Sequence, residues 1–195
     1  MRVAVSGTHC CGKSTLIDEF LVTHSSFAHE PEPYEVLEQN YGEAFAEEPY
    51  LDDFHRQLAF NDERLRQYKA GDRVIYERSP VDFLAYMLAF NDLRREVGPT
   101  QLIEESLAIV TDALQLLDLI VFLPLDDEDA GITMSDSEDP ELRRAVNSRL
   151  VSIFLDDDLD LFTSHRPVVL ELRGSTAQRL RKLDEFLGGD LLKLT

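Results

Sequence analysis

Cysteine is scarce, long apolar runs are missing, and basic residues are outnumbered two to one. The 195 residues include two cysteines, Cys10 and Cys11. Adjacent cysteines have poor geometry for a structural disulfide, so no disulfide framework is expected and the chain reads as intracellular. No stretch reaches the roughly 18 consecutive apolar residues of a membrane span. The first residues enter an apolar run at once, so no signal peptide is expected and the location reads as cytoplasmic. Lys and Arg number 19 against 38 Asp and Glu, for a net charge of −19. Such a surface repels phosphate backbones and disfavours broad nucleic-acid binding. A local cluster of a few arginines at a site stays compatible with it. Repeats and low-complexity linkers are also missing. The length and 44% hydrophobic content suit one domain over residues 1–195 with a real core.

What is present is organised around Gly7-Thr8-His9-Cys10-Cys11-Gly12-Lys13-Ser14-Thr15. It reads G-x-x-x-x-G-K-[ST], a phosphate-binding loop. Arg2–Ser6 before it fits a buried parallel strand, and Leu16, Ile17, Phe20 and Leu21 after it share one helix face. Strand, glycine turn and helix are the context the motif requires. The glycines let backbone amides surround an anion, the helix start adds partial positive charge, and Lys13 adds a full one. Ser14 is placed to put its hydroxyl on Mg²⁺.

Further strands are read at 27–29, 74–76, 119–123 and 168–172. Helical patterns separate them: one through Tyr34, Leu37 and Tyr41, then 52–69, 80–90 and 100–117. Another, from 139 on, carries the stripe Leu142, Val146, Leu150 and Ile153, and a last one stops at Gly188-Gly189. Five apolar strands alternating with helices predict an α/β sandwich around a parallel sheet.

In such folds ligands gather at the carboxyl ends of the strands. The second strand ends near Glu30 and Glu32. Either carboxylate opposite the phosphate loop can orient an acceptor hydroxyl or take its proton, and the other is then a solvated loop acid. The third strand ends at Glu77-Arg78-Ser79-Pro80. Glu77 is a candidate to hold a metal-bound water, and Arg78 to clamp phosphate or fix the catalytic carboxylate; a structural ion pair is the plainer alternative. Residues 126–149 read as a lid whose Arg143, Arg144 and Arg149 offer positive charge to the phosphates. Gly174 and Ser175 either pass close to an adenine ring or simply start the last helix. Cys10 and Cys11 lie by a helix N-terminus and Lys13, an environment expected to lower a thiol pKa. His9 belongs to no metal-ligand spacing.

These residues resemble those of the P-loop nucleoside and nucleotide kinase-like group, closest to small AAA-type ATP-binding proteins related to the ribosylnicotinamide kinase domain. The resemblance is carried by Gly7–Thr15, by Glu32-Pro33-Tyr34 followed by Leu37-Glu38, and by Glu77-Arg78-Ser79-Pro80 leading into Asp82-Phe83-Leu84-Ala85-Tyr86. Deoxynucleoside kinases have a similar Glu-Pro and Glu-Arg-Ser. The resemblance implies a three-layer P-loop NTPase fold, a five-stranded parallel sheet ordered 2-3-1-4-5, and a lid between strands four and five. It implies Glu32 as the base, with Arg78 beside the phosphates. The lid arginine of kinase relatives is missing from Asp129-Ala130-Gly131-Ile132, which leaves Arg143, Arg144 and Arg149 as substitutes.

The expected function is transfer of phosphate from ATP, with Mg²⁺, to a small hydroxylated acceptor such as a nucleoside, nucleotide or related metabolite. The alternative is an ATP-binding switch or slow ATPase that acts through a partner protein. Lys13, Glu32, Arg78, Arg143 and Arg144 are the candidate catalytic residues. Residues 7–15 with Gly174 and Ser175 are the candidates for binding ATP, and Ser14 and Glu77 for Mg²⁺. The expected partners are ATP and the acceptor, without nucleic acid or membrane; a homodimer is left open.

Overall fold

Five short β-rich segments form one sheet: β1 (Arg2–Ser6), β2 (Ala28–Glu30), β3 (Val74–Glu77), β4 (Leu119–Phe122) and β5 (Val168–Glu171). The computed structural model describes residues 1–43, 45, 50–95, 99–125, 139–162 and 167–190. All four strand pairings are parallel, and the order is β2-β3-β1-β4-β5. Parallel strands need crossovers, and helices supply them. These are α1 (Lys13–Thr23), α2 (Pro33–Tyr41), α3 (Leu51–Gln67), α4 (Pro80–Asp92), α5 (Thr100–Leu114), α6 (Pro140–Val151) and α7 (Thr176–Asp190).

Side chains alternate across the sheet and feed two cores. Val3, Val5, Ile75, Leu119 and Val121 pack with Leu16, Ile17 and Phe20 of α1 and Leu183 of α7. Ala4, Val74, Tyr76, Ile120 and Phe122 face the opposite layer, with Phe54 and Leu58 of α3, Leu84 of α4, Val110 of α5 and Val146 of α6. The result is the expected three-layer P-loop NTPase fold. Central strands β3 and β4 are buried along their whole length, which explains their uninterrupted apolar sequence. Strand β2 lies at the sheet edge and is mostly exposed.

Helix α4 begins where Ser79, Pro80 and Asp82 announce it. Ser79 is the N-cap, Pro80 opens the first turn, and Asp82 closes a capping box. Ten of its thirteen residues are buried, so it is an internal helix packed by α3, α5 and α6, and its apolar circumference follows.

One boundary is corrected. Helix α7 does not stop at Gly188-Gly189 but continues to Asp190. Glycine weakens a helix without ending it unless the chain adopts a left-handed turn, and buried Leu187 holds this last stretch down. The segment expected as a lid is described only in its second half. Residues 126–138 lie outside the described residues. The remainder is α6, whose Leu142, Val146 and Leu150 are core residues. A five-residue π-helical turn, Ser152–Asp156, follows and keeps Ile153 and Phe154 inside. Among the described residues, no helix is long and apolar enough to cross a membrane.

Candidate active site

The turn between β1 and α1 is built by residues that only fit this path. Gly7 has φ 151°, and a Cβ there would come within 2.5 Å of Cys11 Sγ and 2.6 Å of the Leu123 carbonyl. Gly12 has φ 89°, in the left-handed region that costs other residues strain. Cys10, Gly12, Lys13, Ser14 and Thr15 line a cavity of about 250 Å³. Lys13 is buried at 5% exposure, and its ammonium donates to the Thr8 carbonyl at 2.9 Å. The Ser14 hydroxyl donates to Glu77 Oε1 at 2.8 Å. A hydroxyl and a carboxylate side by side at a phosphate loop are hard oxygen donors that fit Mg²⁺, which takes one or two protein ligands and completes its shell with phosphates and water.

The loop is held from outside by residues far away in sequence. Asp82 accepts from Gly7 N at 2.9 Å and from both Ser79 N and Ser79 Oγ at 2.9 Å. Ser6 Oγ donates to Ser79 Oγ at 2.7 Å. Arg143 donates to the carbonyls of His9 at 2.9 Å and Cys10 at 3.0 Å, and Arg179 to that of Cys11 at 2.7 Å. With cations on its outward carbonyls, the loop keeps its amides available for an anion.

Beside the loop stands an ion pair. Arg78 follows β3 with φ 74° and is 2% exposed. Its Nε donates to Glu32 Oε1 at 2.5 Å, and Nη1 to the Gly7 carbonyl at 3.3 Å. Nη1 also lies 3.7 Å from Asp82 Oδ1, and Nη2 lies 3.2 Å from His9 Nδ1. The guanidinium covers the Tyr86 ring, 5.3 Å from its centroid. Burial pushes the Glu32 pKa up, but the charges of Arg78 and then Lys13, with the hydrogen bond from Arg78, outweigh it and hold it at about 2. Burial likewise opposes the Arg78 charge, and Glu32 more than restores it.

Ser14 is thus tied to Glu77 and Arg78 to Glu32, while Lys13, Arg78 and Arg143 all donate to carbonyls of residues 7–10. Arg144 lies on the exposed face of α6. Arg149 pairs with Asp92 at 2.5 Å. Gly174, at φ 93°, and Ser175 form the turn into α7; Ser175 N and Oγ donate to Gln178 Oε1 at 2.9 and 3.2 Å.

Glu30 is not a solvated loop acid. Arg64 holds its Oε2 through Nη2 at 2.5 Å and Nε at 2.6 Å, and Tyr68 donates to Oε1 at 2.5 Å. Cys11 also departs from expectation. It is fully buried, and burial pushes its thiol pKa up, overriding Lys13. The roles of Asp82, Tyr86 and Arg179 at the loop were not read from the sequence. Asp82 and Tyr86 enter there only as part of the family resemblance, and Arg179 sits at the far end of the chain with no local signal.

A family profile described as "AAA domain" matches residues 2–179. No curated protein sequence matches the chain at a significant level. Among solved structures, deoxyadenosine kinase from M. mycoides with bound dATP is similar at 15% identity and TM-score 0.69, over 97% of this chain and 100% of that one. Thymidylate kinase from Candida albicans is similar at 17% identity and TM-score 0.66, over 97% and 92%. NadR protein in complex with NR is similar at 16% identity and TM-score 0.62; 96% of this chain covers 51% of that one. With the phosphate loop and the 2-3-1-4-5 sheet in place, the chain belongs to the AAA domain family and has the fold of the P-loop nucleoside and nucleotide kinases.

Proposed function

We propose that the protein transfers the terminal phosphoryl group of ATP, with Mg²⁺, to a hydroxyl of a small nucleoside-like acceptor. The observation that carries this reading is the pairing of two carboxylates with two loop-side partners, Glu77 with Ser14 and Glu32 with Arg78. Phosphoryl transfer asks the protein for position and charge rather than covalent chemistry. Lys13 and the loop amides hold the β- and γ-phosphates. Ser14 and Glu77 would hold Mg²⁺, which would supply neutralising charge to the phosphates.

Glu32 orients the acceptor hydroxyl. Its low pKa keeps it ionised at neutral pH, and such a weak base suits a loose transition state in which the proton leaves late. Arg78 fixes Glu32 and adds positive charge next to the moving phosphoryl group. Arg143 acts by bracing the loop. The similarity to deoxyadenosine and thymidylate kinases supports a nucleoside or nucleotide acceptor.

The test is ADP production with and without a panel of ribonucleosides, deoxynucleosides and their monophosphates. The kinase reading expects a rise with one acceptor class. ADP formation indifferent to every acceptor assigns the protein to the switch or slow ATPase class instead. Lys13→Ala is expected to abolish measurable ATP binding. Glu32→Gln is expected to bind ATP normally and transfer about 10²–10⁴-fold more slowly.

A further inference from the structure

We propose that His9 is an acceptor-binding residue: its neutral ring donates a hydrogen bond from Nε2 to an acceptor oxygen adjacent to the reacting hydroxyl. This rests on the kinase reading above and goes beyond it, since the loop motif leaves this position open to any residue.

The tautomer follows from chemistry. A guanidinium carries only donors. Arg78 Nη2 lies 3.2 Å from His9 Nδ1, so Nδ1 must be the acceptor and the ring proton sits on Nε2. Partial loss of water, then the charge of Arg78, lowers the His9 pKa, and the ring is neutral at physiological pH. Its position is also fixed. The ring meets Tyr86 edge-on at 5.3 Å, and Arg143 holds the His9 carbonyl at 2.9 Å. Arg78 is buried whereas His9 is exposed. Nε2 lies across the ring from the nitrogen that Arg78 occupies, so its N–H is not taken up by that contact.

Arg78 joins the ring to Glu32, since its guanidinium contacts both, and Arg143 holds the backbone of the same residue as the ring. An acceptor whose hydroxyl is held by Glu32 presents its adjacent atoms to this ring. The chemistry that fits an N–H donor is an accepting oxygen, such as a second hydroxyl or a ring oxygen of a sugar. The acceptor class is thus a polyol with oxygens on neighbouring carbons.

Two measurements test this. Long-range ¹H–¹⁵N spectra of the full-length protein should show His9 with an unprotonated Nδ1 and a protonated Nε2 at neutral pH. A protonated Nδ1 overturns the proposal without reference to activity. Steady-state kinetics then use the nucleoside panel. His9→Ala should raise the acceptor KM about tenfold, the loss of one well-placed hydrogen bond, while the ATP KM holds. His9→Gln, which keeps an N–H near the Nε2 position, should recover most of the loss. An unchanged acceptor KM in His9→Ala, or an equal rise in the ATP KM, overturns the role of His9 and leaves the kinase reading standing. A wild-type protein without acceptor-dependent ADP production overturns the kinase reading, and this inference with it.

Discussion

Arg78 shows how much one buried side chain can organise. It sits in a left-handed backbone conformation, fully enclosed, and touches Glu32, Gly7, His9, Asp82 and Tyr86. A buried charge of this kind is tolerated only because carboxylates and carbonyls surround it. The pairing makes stability depend on acid. The folded pKa of Glu32 is about 2, against an ordinary 4.5. A depressed carboxyl contributes stability above its unfolded pKa and loses it as pH falls. Thermal melts should therefore show wild type more stable than Glu32→Gln at neutral pH, with the gap closing between pH 4.5 and 2. A gap that stays constant across that window would mean the pair contributes nothing. Asp82 is fully buried too, taking donors from Gly7 and Ser79. Asp82→Asn replaces one acceptor oxygen by a donor, and a loss of about 3 kcal/mol is expected in chemical denaturation. The thiols give a third check. Cys11 is enclosed and Cys10 half-buried, so Ellman titration of the native protein should find at most one reactive thiol, and two after unfolding. Residue types at motif positions were legible in the sequence. The Cys11 environment was not, because helix-terminus logic assumes exposure and the thiol packs under Gly7.

Elements were legible wherever periodicity and capping agreed. Strand β1, the loop and α1 follow from one motif, and α4 follows from Ser79-Pro80 and an apolar circumference. Less visible was how α3 serves the site. From its exposed outer face it reads as an ordinary amphipathic helix, yet Arg64 fixes Glu30 at the end of β2, and Glu32 lies two residues on. Tyr68, just past the helix, closes the other side of Glu30. Strand β2 has only three residues and one neighbouring strand, so this clamp sets where Glu32 can stand. Arg64→Leu should therefore lower kcat more than it raises the ATP KM; equal kinetics to wild type would remove that role. No sequence period reports such a tie, because Glu30 and Arg64 are separated by a helix and a loop.

At the scale of the molecule, the sheet order came from family resemblance rather than from the strands themselves, since apolar runs say which segments are strands but not which are neighbours. The parallel pairings β2-β3-β1-β4-β5 bring the ends of β1, β2 and β3 together, and that adjacency is what sets the segments carrying Glu32, Glu77 and Lys13 side by side. The whole chain carries a net charge of −19. Self-repulsion of that size is screened by salt, so the melting temperature should rise by a few degrees from low to physiological ionic strength, as read by differential scanning fluorimetry. The central claim is that these strand ends form a phosphoryl-transfer site rather than a binding loop alone. It is tested most directly by coupled measurement of ADP in wild type and Glu32→Gln, with and without the nucleoside panel. The account predicts acceptor-dependent ADP formation in wild type that Glu32→Gln loses while still binding ATP. Equal ADP formation by both proteins, unaffected by any acceptor, would contradict it.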